Sequence, residues 1–199
     1  MPDALTGIVL QKELRGESGV LFKIFSKSEG IVALYKRVSQ KRAASLPDYF
    51  DEVCFEVQKA KSGNMLFASE CEILARRTEL AKNYEAYECA AKLALCCANN
   101  GLYLENFERL YNSFEAALNA LICGADAAVC ELKFMYLFAR DEGYAIKEDF
   151  FANLDPEGRS LFRQILLSPA KDSCAFASGA RVLLGEMLTW ISTNTDILI

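Results

Sequence analysis

Apolar residues near the start of the chain come in short runs that alternate with polar ones, and from Thr78 onward they recur every three or four positions. The early runs are Gly7-Ile8-Val9-Leu10, Val20-Leu21-Phe22-Lys23-Ile24-Phe25, Ile31-Val32-Ala33-Leu34-Tyr35 and Val53-Cys54-Phe55-Glu56-Val57. In the last of these, Val53, Phe55 and Val57 share one face of a strand, and Cys54, Glu56 and Gln58 share the other. Turn signals at Gly16-Glu17-Ser18-Gly19, Ser28-Glu29-Gly30 and Lys61-Ser62-Gly63-Asn64 divide the region into strands at 4–14, 19–26, 30–38, 50–58 and 65–73. Five short strands with a longer third-to-fourth connection predict a small closed barrel of the OB type.

The later pattern is helical. Leu80, Tyr84, Tyr87, Ala91, Leu95 and Ala98 predict one apolar face over 79–99, stopped by Asn99-Asn100-Gly101. Helices are predicted over 105–123 (Phe107, Leu110, Tyr111, Phe114, Leu118, Leu121) and 126–142 (Val129, Leu132, Phe134, Met135, Leu137, Phe138). Asp155-Pro156 has the form of an N-cap and first-turn proline for a helix ending near Leu167. Ser168-Pro169 breaks that helix, and a last one runs from about Ser173 to Ser192, with Trp190 on its apolar face. The expected architecture is α+β. An N-terminal five-stranded OB-type barrel (1–76) is followed by an α-helical bundle (77–199).

Composition narrows the chemistry. The 199 residues include no histidine, which removes Ser-His-Asp and Cys-His catalysis and imidazole metal sites. Neither G-x-x-x-x-G-K-[ST] nor G-x-G-x-x-G occurs. The eight cysteines contain no C-x-x-C pair, so small buried hydrophobes are the better reading and no metal or cofactor is expected. Cys89 with Cys96 and Cys123 with Cys130 are seven apart and are expected on apolar helix faces. No apolar run approaches the roughly 18 residues that span a bilayer. No export signal opens the sequence either, so no membrane partner and a cytoplasmic location are expected.

Charge is unevenly distributed. The chain carries a net charge of −5, yet between Lys12 and Arg42 eight Lys/Arg face three acids. Residues 1–83 sum to +2 and residues 84–199 to −7. A basic patch on a small barrel points to a polyanion. The candidate phosphate contacts are Lys12, Arg15, Lys23, Lys36, Arg37, Lys41 and Arg42, the last two in a basic loop expected between Ser39 and Asp48. Against this stands a solvated loop, kept charged to blunt a strand edge. Phe25 and Tyr35 are open between stacking on unpaired bases and packing, whereas Phe22 shares the phase of Val20 and Ile24 and reads as core. Lys59, Lys61 and Arg76-Arg77 are open between extending the patch and ordinary surface placement. The aromatics of the helical half (Tyr84, Tyr87, Phe107, Tyr111, Phe114, Phe134, Phe138) read as core.

The order of these residues resembles the RecO family of bacterial recombination mediators. The matching segments are Gly7-Ile8-Val9-Leu10, Gly16-Glu17-Ser18, Val20 to Ser26, Glu29-Gly30, Ala33-Leu34-Tyr35-Lys36, Leu46 with Phe50, Glu131-Leu132-Lys133-Phe134 and Glu142-Gly143-Tyr144. Two departures stand out. Lys147-Glu148-Asp149-Phe150 occupies the place of a four-cysteine zinc module, and Arg37 stands where the family usually has glycine. The resemblance implies a non-enzymatic DNA-repair protein that binds single-stranded DNA and duplex ends and anneals complementary strands. It also implies help in loading the RecA recombinase. The partners implied are RecR and the acidic C-terminal tail of single-strand-binding protein, with Arg109, Lys133 and Arg140 as candidate tail contacts. The rival expectation is a non-catalytic protein-interaction adaptor with little DNA affinity.

Overall fold

The protein is described by a computed structural model over residues 4–16, 18–38, 46–60, 65–101, 103–104 and 107–199. It divides into two compact units, Met1–Arg77 and Thr78–Ile199. The first contains β1 (Ala4–Arg15), β2 (Gly19–Ser26), β3 (Gly30–Arg37), β4 (Glu52–Lys59) and β5 (Leu66–Ala75). These close into a barrel in the order β1-β2-β3-β5-β4, with β4 returning to β1. All pairings are antiparallel except the β3–β5 seam, where Leu34, Tyr35 and Lys36 face Leu66, Phe67 and Ala68 in parallel. The chain thus forms the α+β, five-stranded, OB-like barrel that the alternation predicts.

Alternation fills the barrel. Val9, Val20, Phe22, Ile24, Leu34, Val53, Phe55 and Leu66 point inward, and the Phe22 and Phe55 rings meet at 5.4 Å. Each such side chain contributes about 1.5–3 kcal/mol through burial. Phe22 therefore has the core role expected of it.

β4 begins at Glu52, two residues later than the apolar pattern suggests. Phe50 sits at φ 68, left-handed backbone that interrupts an extended run. Main-chain bonds hold it there: Phe50 N–H donates to Val9 O at 2.8 Å, and Val9 N–H to Asp51 O at 3.0 Å. β1 bulges at the next residue, Leu10.

The second unit holds α1 (Tyr84–Asn100), α2 (Phe107–Ile122), α3 (Ala127–Asp141), α4 (Pro156–Leu167) and α5 (Ala177–Asn194). Asn83, Asp126 and Asp155 cap α1, α3 and α4 by accepting from the N–H groups of Ala86, Val129 and Gly158. Gly124 and Gly143, both at φ 83, close α2 and α3 in a conformation that glycine adopts without steric cost.

The face of α1 differs from expectation. Tyr84, Tyr87 and Leu95 are exposed, and Ala86, Cys89, Ala90, Leu93, Ala94, Cys96 and Cys97 are buried. Small side chains let this helix approach its neighbours closely, and the Cys89 thiol lies 3.4 Å from the Ala127 carbonyl oxygen. Elsewhere Tyr111, Phe114, Phe134 and Phe138 are core as expected, and Phe107 is half-buried. Trp190 is half-buried on α5 with its ring 6.1 Å from Phe150. A π-helical turn at Lys147–Phe151, for which the sequence pattern gives no signal, delivers Phe150 into this aromatic group. Cys123 is exposed just past the end of α2 and so does not share the buried face of Cys130. Asn100 does more than stop α1: its side-chain amide donates to Leu198 O at 2.8 Å and accepts from Leu198 N–H at 2.9 Å.

Candidate nucleic-acid interface

The register determines which basic residues share a face. Phe22 and Ile24 point into the barrel, so Leu21 and Lys23 on β2 point out, joined by Tyr35 and Arg37 on β3 and Phe67 on β5. Tyr35 is half-buried and Phe67 is 38% exposed. Their rings meet edge to face at 5.8 Å across the parallel seam. Gly19 makes room for this arrangement, because any Cβ there would collide with the Tyr35 ring. Two aromatic rings, each partly open to solvent, thus lie on the same outer face as Lys23 and Arg37. Neither cation has an acidic partner among the described residues.

The remaining candidates behave differently. Phe25 pairs with Ile8 on the outer phase of β2 but is fully buried, so it presents no ring to a ligand. Its reading as a stacking platform is corrected to packing. Lys12, opposite Phe22 in the β1–β2 register, is engaged, its ammonium 3.0 Å from Asp48 Oδ1 and donating to Pro47 O at 3.4 Å. This contact holds the Asp48 carboxyl below its usual range. Arg15 is exposed and donates to Glu13 at 2.8 Å. Lys36 reaches over the seam to donate to Ser69 O at 2.8 Å, tying β3 to β5. Lys41 and Arg42 lie outside the described residues, as does Lys61. Lys59 is exposed at the end of β4.

Arg76 and Arg77 are structural. The Asp51 carboxylate is buried and accepts from Asp48 N–H at 2.9 Å and from the Arg76 guanidinium at 3.2 Å. Arg77, also buried, donates to the Phe50 carbonyl at 2.8 Å, satisfying the main chain where the left-handed residue leaves the sheet. Neither extends the basic patch.

Acids bound the face on its other side. Beyond Phe67, β5 presents exposed Glu70 and Glu72, and β4 presents exposed Glu56, whose carboxylate accepts from the Ser69 hydroxyl. The outer wall is therefore aromatic and basic over β2, β3 and the start of β5, and acidic over the rest of β5 and β4. Phe67 is the residue that sequence reasoning missed. Its run, Met65-Leu66-Phe67, reads as ordinary strand, and only the parallel pairing brings it to Tyr35.

A small apolar pocket of about 290 Å³ lies between α2 and α3 in the helical unit. Ala116, Ala117, Ala120, Phe134 and Leu137 line it, with Lys133 as its cation. Burial pulls the Lys133 ammonium below its usual pKa, and its Nζ donates to the Ser168 carbonyl. Of the other tail candidates, Arg140 is taken up by Asp141 and by the Tyr136 ring, and Arg109 is exposed on α2. Among the described residues no three His, Cys, Asp or Glu side chains converge as metal ligands, and no helix is long and apolar enough to cross a membrane. No family model matches the chain, and no curated protein matches it either.

Proposed function

We propose that the barrel binds single-stranded DNA on the outer face of β2, β3 and β5, as a non-catalytic mediator of the RecO type. The observation that carries this reading is the Tyr35–Phe67 pair, partly open and sharing its face with Lys23 and Arg37. Bases stacked on two such rings gain about 1–3 kcal/mol each, and the cations take the intervening phosphates. A duplex hides its base faces, so the platform favours unpaired strands. Strand annealing and RecA loading are the roles that the family resemblance attaches to such a surface. The pocket between α2 and α3 suits the acidic tail of single-strand-binding protein, an apolar tail residue entering between Ala117 and Phe134 with a carboxylate toward Lys133. RecR remains the other partner that the resemblance implies.

A second reading is favoured by Lys12, Arg15 and Lys36, which are engaged within the barrel, and by the acids of β4 and β5. On that reading the chain is an adaptor with little DNA affinity. Anisotropy titration of a labelled oligo(dT) strand separates the two. Tyr35→Ala and Phe67→Ala are expected to weaken binding by about 1–3 kcal/mol each. Lys23→Ala with Arg37→Ala is expected to flatten the slope of log affinity against log salt by about 0.7 per lost phosphate contact. Wild-type binding that is absent, or that is indifferent to all four substitutions, would establish the adaptor reading instead.

A further inference from the structure

The helical unit has a second concavity that the proposed function does not use. α4 and α5 flank an open groove of about 690 Å³. Its apolar surface is formed by Leu161, the buried Leu183, and Val182, which is 64% exposed. Gly179 lies in the wall of α5, where a Cβ would run into the Leu161 side chain. A glycine inside a helix costs about 1 kcal/mol relative to alanine. Here it lets Leu161 lie flat against the α5 backbone.

The polar rim is of one sign. Asp155, Glu157 and Glu186 line the groove, and no lysine or arginine does. Asp155 is committed to capping α4, so Glu157 and Glu186 are the exposed carboxylates that a ligand would meet. Arg181, next to Val182 in sequence, pairs with Glu85 on α1 instead. An apolar floor under uncompensated carboxylates selects its occupant by charge: nucleic acid and acidic peptides are repelled, and a neutral segment leaves the acids unpaired.

We infer that this groove docks a basic amphipathic segment of a partner protein. An apolar side chain of the segment rests on Leu161 and Val182, and flanking Lys or Arg meets Glu157 and Glu186. The inference is independent of the single-strand reading, since it uses neither the barrel nor the pocket at Lys133.

The full chain can be titrated with a short labelled peptide that carries leucines on one helical face and lysines on the other. A lysine/serine peptide of equal charge and a glutamate/leucine peptide serve as controls. The lysine/leucine peptide is expected to bind at least about tenfold more tightly than either control, a difference of about 1.4 kcal/mol. Val182→Ser and the Glu157→Gln, Glu186→Gln double variant are each expected to weaken it about tenfold, while Glu148→Gln outside the groove leaves it unchanged. All three replacements on the groove are at exposed positions, so the fold is retained, as far-ultraviolet circular dichroism would verify. Equal binding of the lysine/serine peptide, indifference to the groove variants, or no binding by the lysine/leucine peptide would each overturn the inference.

Discussion

Single side chains in this protein are sorted by their surroundings more than by their type. Phe25 and Tyr35 carry similar rings on neighbouring strands and share the outward phase, yet one is sealed and the other half open. Alternation revealed the phase of both but not what covers an outward residue, because cover comes from parts of the chain remote in sequence. The cysteines divide in the same way. Burial pushes the thiols of Cys96 and Cys130 up to about 12, and those of Cys89 and Cys97 upward as well, whereas Cys123 and Cys174 are exposed. A thiolate is the reactive form, so a thiol reagent at pH 8 should label Cys123 and Cys174 rapidly in the native protein. The four buried thiols should react only after denaturation. The sign of the pH effect follows: in the unfolded chain these thiols ionise near 9.0, and in the folded chain Cys96 and Cys130 hold their protons to about 12. The unfolded state therefore binds fewer protons across that window, and stability falls as pH rises from 9 toward 12. Urea melts at pH 8 and pH 10.5 should show a lower midpoint at the higher pH, and Cys97→Ala should reduce the difference.

At the level of elements, the strands were readable almost residue by residue, since a two-residue period has only one way to fill a barrel. β4 was the exception, shortened by the left-handed turn at Phe50 that Asp51 and Arg77 support. No sequence signal marks an aromatic residue at positive φ. Asp155-Pro156 and the glycines Gly101, Gly124 and Gly143 marked helix ends plainly. However, α1 and α5 begin at Tyr84 and Ala177, later than the periodicity suggests, because tighter turns at Thr78–Lys82 and Ala170–Phe176 precede them. The face of α1 was not legible, because bulk and burial part company there: Tyr84, Tyr87 and Leu95 have the larger apolar surfaces, but close helix packing selects alanine and cysteine. The contrast can be measured. Leu93→Ala, at a buried site, should cost about 2–5 kcal/mol in a denaturant melt. Leu95→Ala, two residues on and exposed, should stay within about 0.5 kcal/mol of the parent. The Tyr35–Phe67 pair was half legible for a related reason. Tyr35 has basic neighbours in the sequence, and Phe67 reaches them only through a parallel seam that local patterns do not announce.

Across the whole molecule, charge and architecture divide at the same boundary. The barrel half is weakly basic and the helical half carries −7 over residues 84–199. Each unit has its own buried core, so a fragment spanning Thr78–Ile199 should fold alone, keep its helical circular dichroism, and leave oligo(dT) unbound at any salt concentration that supports binding by the full chain. Affinity for oligo(dT) in that fragment would move the interface off the barrel.

The parallel seam closing the barrel has a consequence for how the barrel moves. Among the described residues, three backbone pairs, the Lys36 ammonium and the Tyr35–Phe67 ring contact stitch β3 to β5, while β1 and β2 are zipped over most of their length. Parallel pairing is also slightly weaker per residue. The seam is therefore expected to open more readily than the β1–β2 ladder, which faster amide exchange along β3 and β5 than along β1 would show. Tyr35 and Phe67 stand on its two sides, so on the proposed reading a strand lying across both rings would clasp the barrel shut, and grip on the ligand and rigidity of the fold would become a single equilibrium.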